Sequence, residues 1–205
     1  QPLILARLNS TTGVLVDGYG AIFGDWFFPM DGSLAAVERS ITGTHVAVFD
    51  LESQAKVHEF VATRRIEGLS ATDDGRVIVT GYDADGIGVH LFDAATGHKL
   101  GYAPAIGPRL PVLDPTQSAF YALETSERGE VTFARYALGG AAGLLTRSPS
   151  WTNLPPVSPR TTGLFRPIGS DFLLGPNGEL FRSSPDPALD LTLSGRLQVG
   201  VVGAE

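Results

Sequence analysis

The chain has 205 residues, 43% of them hydrophobic and 18% charged, with 25 Gly and 14 Pro. That balance excludes a disordered chain and suffices for one core, so residues 1–205 read as a single turn-rich domain. A net charge of −7 argues against a general nucleic-acid binder, no apolar run reaches the ~20 residues of a membrane helix, and the absence of cysteine excludes disulfides and thiolate chemistry.

The predicted elements begin with strands at residues 3–8 and 14–18 around a turn from Asn9 to Gly13. After Phe23-Gly24-Asp25-Trp26-Phe27-Phe28, the Met30-Asp31-Gly32-Ser33 turn leads to strands at 34–39 and 46–50, so four short strands are expected between Trp26 and Phe60. A second unit repeats that order, with strands at 67–72, 77–80, 88–93 and 99–103 and turns at Asp74-Gly75 and Asp83-Ala84-Asp85-Gly86. A third has strands at 110–113, 119–124, 131–136 and 144–147. Residues 148–162 hold Pro149, Pro155, Pro156 and Pro159 and read as a stiffened connection. Strands at 163–168, 172–174 and 179–182 form a shorter fourth unit, and two last strands are expected at 189–193 and 197–202. No window carries a capped 3.6-residue apolar period, so no long helix is expected.

One hairpin pattern recurs through this order. Val89-His90-Leu91-Phe92-Asp93-Ala94-Ala95-Thr96-Gly97 matches Val46-Ala47-Val48-Phe49-Asp50 and weaker versions near Asn9 and Ala137; Asn9, Asp50, Asp93 and Ala137 are 41, 43 and 44 residues apart. Gly97 can supply the positive φ that such a turn needs. A repeat of four strands and ~40–45 residues is the period of a β-propeller blade. About five blades of roughly 42 residues fit this length, with the N- and C-terminal strands pairing to close the ring and remove its open edges. The alternative is an open arc, or part of a larger propeller.

Hairpins of the Phe-Asp-x-x-Thr-Gly type, preceded by an Asp-Gly turn at 31–32 and 74–75, resemble the repeats of the YVTN/WD40-like propeller superfamily across residues 24–140. The resemblance implies an all-β propeller and leaves function open, since that fold serves enzymes, surface proteins and scaffolds alike.

Candidate chemistry is sparse. His45, His58, His90 and His98 fall on or beyond third strands and read as partly exposed strand residues without a metal-ligand spacing. Asp83 and Asp85 resemble half a calcium loop but are explained as a turn. There is no Gly-x-Ser-x-Gly and no phosphate-binding Gly loop, and the acids near first strands are Asp25, Glu67 and Asp114. No catalytic residue, cofactor or metal ligand is therefore assigned. The links between units carry Asp25, Arg64, Arg65, Arg109 and Arg160, with Arg166 just beyond and Trp26 beside Asp25. Guanidinium groups on successive links can form a positive mouth for a carboxylate-bearing partner, unless they pair with Asp83, Asp85, Glu127 and Glu130. The expectation is a non-catalytic binding or assembly module that engages a protein partner or an acidic ligand through this loop face. The alternative is a small hydrolase, lactonase- or glycosidase-like, using channel carboxylates. Two lysines against thirteen arginines suggest a high-GC bacterial genome, and a start at Gln1 fits a processed chain. A periplasmic or extracellular location is the weaker expectation, with the cytoplasm as its alternative.

Overall fold

The computed structural model describes residues 44–50, 53, 55–125, 132–139, 165–175 and 178–197, and the strand backbone alone at 3–8, 15–22, 26–30, 33–38, 131 and 144–147. For residues 109, 110 and 125 the side chains are likewise outside the description. Four antiparallel sheets of four strands and one of two account for the described elements. The pair is β1 (Leu3–Leu8) with β2 (Leu15–Ile22). The first sheet holds β3 (Trp26–Met30), β4 (Ser33–Glu38), β5 (His45–Asp50) and β6 (Lys56–Val61). The second holds β7 (Arg65–Ala71), β8 (Arg76–Asp83), β9 (Gly86–Asp93) and β10 (Lys99–Pro104). The third holds β11 (Arg109–Leu113), β12 (Ala119–Thr125), β13 (Val131–Gly139) and β14 (Leu144–Arg147). The fourth holds β15 (Arg166–Ile168), β16 (Phe172–Leu174), β17 (Glu179–Arg182) and β18 (Leu193–Arg196).

Within each four-stranded sheet the strands pair in chain order, so each is a simple meander. First strands adjoin across sheets: β3 lies against β7, β7 against β11, and β11 against β15. That contact chain makes the first strand of each sheet its inner edge. Successive side chains on a strand point to opposite faces, and here both faces are covered. Val77 and Val79 pack with Val46, Val48 and Phe60 of the first sheet, whereas Ile78 between them packs with Phe120, Ala134 and Tyr136 of the third. On the far side Tyr121, Leu123 and Phe133 meet Phe165, Leu173, Phe181 and Leu191 of the fourth. Continuous apolar runs such as Val77-Ile78-Val79 and Ala119–Leu123 follow from that double burial.

The recurring hairpin has a specific chemistry. Thr96 donates to Asp93 Oδ1 through its backbone N–H and its hydroxyl, both at 2.8 Å. Ser53 does the same to Asp50 Oδ1, at 2.6 Å twice. A carboxylate that accepts from the turn it precedes reproduces one geometry at both positions. Those donors, led by Thr96, hold the Asp93 carboxyl below the usual carboxylate range. Gly97 has φ +67°, and a Cβ there would stand 2.5 Å from Phe60 Cβ, so the turn also docks on the preceding sheet.

The expected strand at 189–193 is corrected by the structure. Pro185-Asp186-Pro187 starts a tight turn in which Ala188 N–H donates to Asp186 Oδ1 at 2.9 Å and Asp190 N–H to the Asp186 carbonyl at 2.9 Å. Leu191 takes φ +53° and is buried, and the strand begins only at Leu193, pairing with β17 in the fourth sheet. Asp186 and its flanking prolines favour a closed turn over an extended chain. The strand expected at 197–202 lies, apart from Leu197, outside the described residues.

Candidate binding site

Two inter-sheet links and one hairpin meet at the same end of the second sheet. Arg64 N–H, in the link before β7, donates to the Tyr82 carbonyl at 2.9 Å, and Ala105 N–H, in the link after β10, donates to the Ile87 carbonyl at 3.3 Å. Both links are thereby tied to the β8–β9 hairpin. Between them lies a cleft of about 300 Å³ lined by Arg65, Glu67, Gly81, Tyr82, Ile87 and Pro108. Its floor is narrow because a bulge between Ile66 and Gly68 presses the β7 backbone onto β8, where a Cβ at Gly81 would sit 2.1 Å from the Arg65 carbonyl oxygen. Its rim is apolar and open: Tyr82, Ile87 and, next along the link, Ile106 are 46%, 50% and 57% exposed. Arg65 Nε lies 2.7 Å from Glu67 Oε1, an exposed pair that contributes little to stability and leaves the guanidinium at the surface.

The structure places the arginines singled out in the sequence as follows. Arg65, Arg109 and Arg166 are the first residues of β7, β11 and β15, the adjoining inner strands of three successive sheets. Arg64, Arg65 and Arg166 are exposed. The side chains of Arg109 and Trp26, and Asp25 and Arg160 entirely, lie outside the described residues, as do Glu127 and Glu130. Among the described residues the cation that Asp83 and Asp85 pair with is a lysine. Lys99, arriving from β10, bonds Asp85 Oδ2 at 2.5 Å and Asp83 Oδ2 at 3.5 Å. Of the candidate channel acids, Glu67 is paired with Arg65 near the start of β7. Asp114 is buried past the end of β11, accepting from the Ala119 N–H at 3.1 Å and the Arg135 guanidinium at 3.4 Å. These two acids stand at opposite ends of their strands and do not converge.

Behind the hairpin is a polar group that the sequence did not foretell. His90 is fully buried rather than partly exposed, facing the Tyr102 ring at 5.0 Å and Phe92 at 6.5 Å. Gly81 and Gly88 pair across β8 and β9 and leave that face without side chains; the Tyr102 ring fills it, 2.5 Å from where a Gly88 Cβ would be. Tyr102 OH donates to the Asp85 and Ile87 carbonyls at 3.0 and 3.2 Å, fixing the hairpin tip. The only signal of this arrangement in the sequence is the Gly-x-x-x-x-x-x-Gly spacing around the Asp-Ala-Asp turn, which points to a close approach without saying of what.

Burial, reinforced by the Lys99 charge and opposed by Asp83 and Asp85, lowers the His90 pKa from 6.5 to about 4. The folded chain therefore keeps His90 neutral where the unfolded chain binds a proton. Its contribution to stability is complete above pH 6.5 and is lost as pH falls from there through about 4. The loss should reach on the order of 2–3 kcal/mol. Denaturant titrations at pH 7.5 and pH 4.5 should show His90→Phe to be clearly less acid-sensitive than the parent; equal sensitivity would assign the acid loss to other groups.

No family model matches the sequence, and no curated protein matches it. Solved structures do share the fold. Hsv2 of Kluyvelomyces marxianus superposes with a TM-score of 0.57 at 14% identity, over 95% of this chain and 66% of that one. A gluconolactonase from Xanthomonas campestris gives 0.55 at 18% identity, over 82% of this chain and 60% of that one. The WD40 domain of Toxoplasma gondii coronin gives 0.50 at 14% identity, over 70% of this chain and 39% of that one. The fold is that of the β-propellers. The chain spans between 39% and 66% of the length of these three structures.

Proposed function

We propose that the chain is a non-catalytic binding module of about five blades, which engages a partner protein through the end of the second sheet. The observation that carries this reading is the cleft, where Tyr82, Ile87 and Ile106 stand exposed around a surface guanidinium at Arg65. Three large apolar groups held on hydrogen-bonded backbone around one concavity are a recognition surface, unlike singly scattered apolar residues. The ligand suited to it is an extended segment with an apolar side chain for the cleft and a carboxylate for Arg65. The hydrolase alternative has less support, because Glu67 is ion-paired and Asp114 is buried among turn donors.

Selection of a displayed random-peptide library on the immobilised protein tests the reading. Enriched peptides should combine an apolar residue with a nearby Asp or Glu. Ile87→Asp and Arg65→Glu should each weaken them about tenfold, roughly 1.4 kcal/mol, while Leu189→Asp on the fourth sheet leaves them unchanged. No enrichment, or binding indifferent to both rim substitutions, overturns it.

Closure of the ring belongs to the same proposal: β1 and β2 form one blade with chain beyond Leu197. Deleting residues 1–22 should then expose a strand edge, lower the melting temperature and cause aggregation. A truncated protein that stays monomeric and equally heat-stable argues for an open arc.

A further inference from the structure

We propose that Asp83, Asp85 and His90 form a binding site for a divalent transition-metal ion, with the donor set of Zn²⁺, in which the ion displaces the Lys99 ammonium. One ring nitrogen of His90 and one carboxylate oxygen from each aspartate lie within 4.8 Å of one another. Metal–ligand bonds of about 2.0–2.1 Å around a tetrahedral ion bring such atoms to about 3.4 Å apart, so the group has to close by up to about 1.4 Å. Asp85 can supply that movement, since it lies on the exposed turn beside Gly86.

The second observation is His90 itself. Its side chain is buried, and neither ring nitrogen makes a well-formed hydrogen bond among the described residues. A buried imidazole without a well-formed partner is costly, and here one of its nitrogens lies near two carboxylates. The Gly81 backbone stands beside the ring and favours its protonated form without giving either nitrogen a well-formed bond. An imidazole beside two carboxylates favours zinc over calcium, which prefers an all-oxygen shell of six to eight ligands. Three protein ligands leave a position for water.

Lys99 occupies the place of the cation. Its Nζ is 2.5 Å from Asp85 and 3.5 Å from Asp83, so one positive charge faces two negative ones. A divalent ion balances both carboxylates and adds the imidazole, while the flexible lysine stem, already 28% exposed, can turn to solvent. The same hairpin carries Tyr82 and Ile87, so the ion would fix one wall of the cleft. The site stands or falls independently of what the cleft binds.

Isothermal titration with ZnCl₂, and with CaCl₂ as comparison, decides the matter on the whole chain. The parent should bind one Zn²⁺, and Lys99→Gln should bind it at least tenfold more tightly because the competing cation is gone. Asp85→Asn and His90→Phe should each weaken binding at least tenfold. Asp85 lies on an exposed turn, so its variant tests the site even where His90→Phe impairs folding. The proposal is overturned by no Zn²⁺ binding in the parent and Lys99→Gln, by unchanged or weaker affinity in Lys99→Gln, by parent-like affinity in Asp85→Asn, or by calcium binding as tightly as zinc.

Discussion

Replacing Arg135 by alanine is expected to destabilise the protein by about 3–5 kcal/mol, because it leaves buried carboxylates without their counter-charge. Arg135 is only 8% exposed and reaches two acids from different parts of the chain. Its Nη2 is 3.4 Å from Asp114 Oδ2 in the third sheet, and its Nε is 3.8 Å from Asp190 Oδ2 in the turn of the fourth. Asp190 is fully buried and also accepts from Tyr121 OH at 2.5 Å and Ser184 N–H at 2.8 Å. Burial pushes the Asp190 carboxyl above its usual range despite those donors, and burial likewise pushes the Tyr121 phenol up. A raised carboxyl pKa contributes stability below the unfolded value of 3.8 that is lost as pH rises through the folded value. The Arg135→Ala deficit should therefore be largest at neutral pH and shrink on mild acidification, as Asp190 takes up a proton. Urea titrations at pH 7 and pH 5 measure this directly. A deficit below 1 kcal/mol, or one that grows toward pH 5, would mean that the third and fourth sheets are held by apolar packing alone.

Replacing Phe120 by alanine should cost a similar amount, about 3–5 kcal/mol, through the cavity left between the second and third sheets. Phe120 is fully buried and stacks on Tyr136 with centroids 5.0 Å apart and planes 5° from parallel. Tyr136 OH donates to buried Glu124 at 2.5 Å, so a ring that shifts into the cavity also strains that bond. Phe120→Leu, which keeps most of the volume, should cost less than half as much. Thermal melts of the two variants separate a cavity effect from a general intolerance of the position; equal losses would point to the latter.

The strands that repeat most regularly were legible in the sequence for a physical reason. The Asp93 and Asp50 turns are local: a carboxylate bonds the residue three positions on, and Gly97 supplies positive φ, so composition and spacing suffice to place them. The strand runs at 172–174 and 179–182 were expected at the positions they occupy, and between them Gly178 N–H donates to the Gly175 carbonyl at 3.1 Å. The region from 185 to 193 was misread because Leu189 and Leu191 alternate like a strand, whereas Asp186 and two prolines close a turn there. Periodicity records which residues want burial, and Leu191 is buried, but from the turn rather than from a strand.

Local chemistry therefore set the all-β class, the four-strand repeat and the turn aspartates, each of which depends on residues a few positions apart. The first strands of the second, third and fourth units were expected from residues 67, 110 and 163, and the structure starts β7, β11 and β15 at Arg65, Arg109 and Arg166. Tertiary structure alone decided which charges meet. Lys99 reaches Asp85 across 14 positions and Arg135 reaches Asp190 across 55. His90 became buried because Gly81 and Gly88 let Tyr102 close over the sheet, a contact between strands that no single-strand pattern records. Opposite charges and paired glycines act through space at distances of a few ångströms, and only the packed sheets bring those residues within that range.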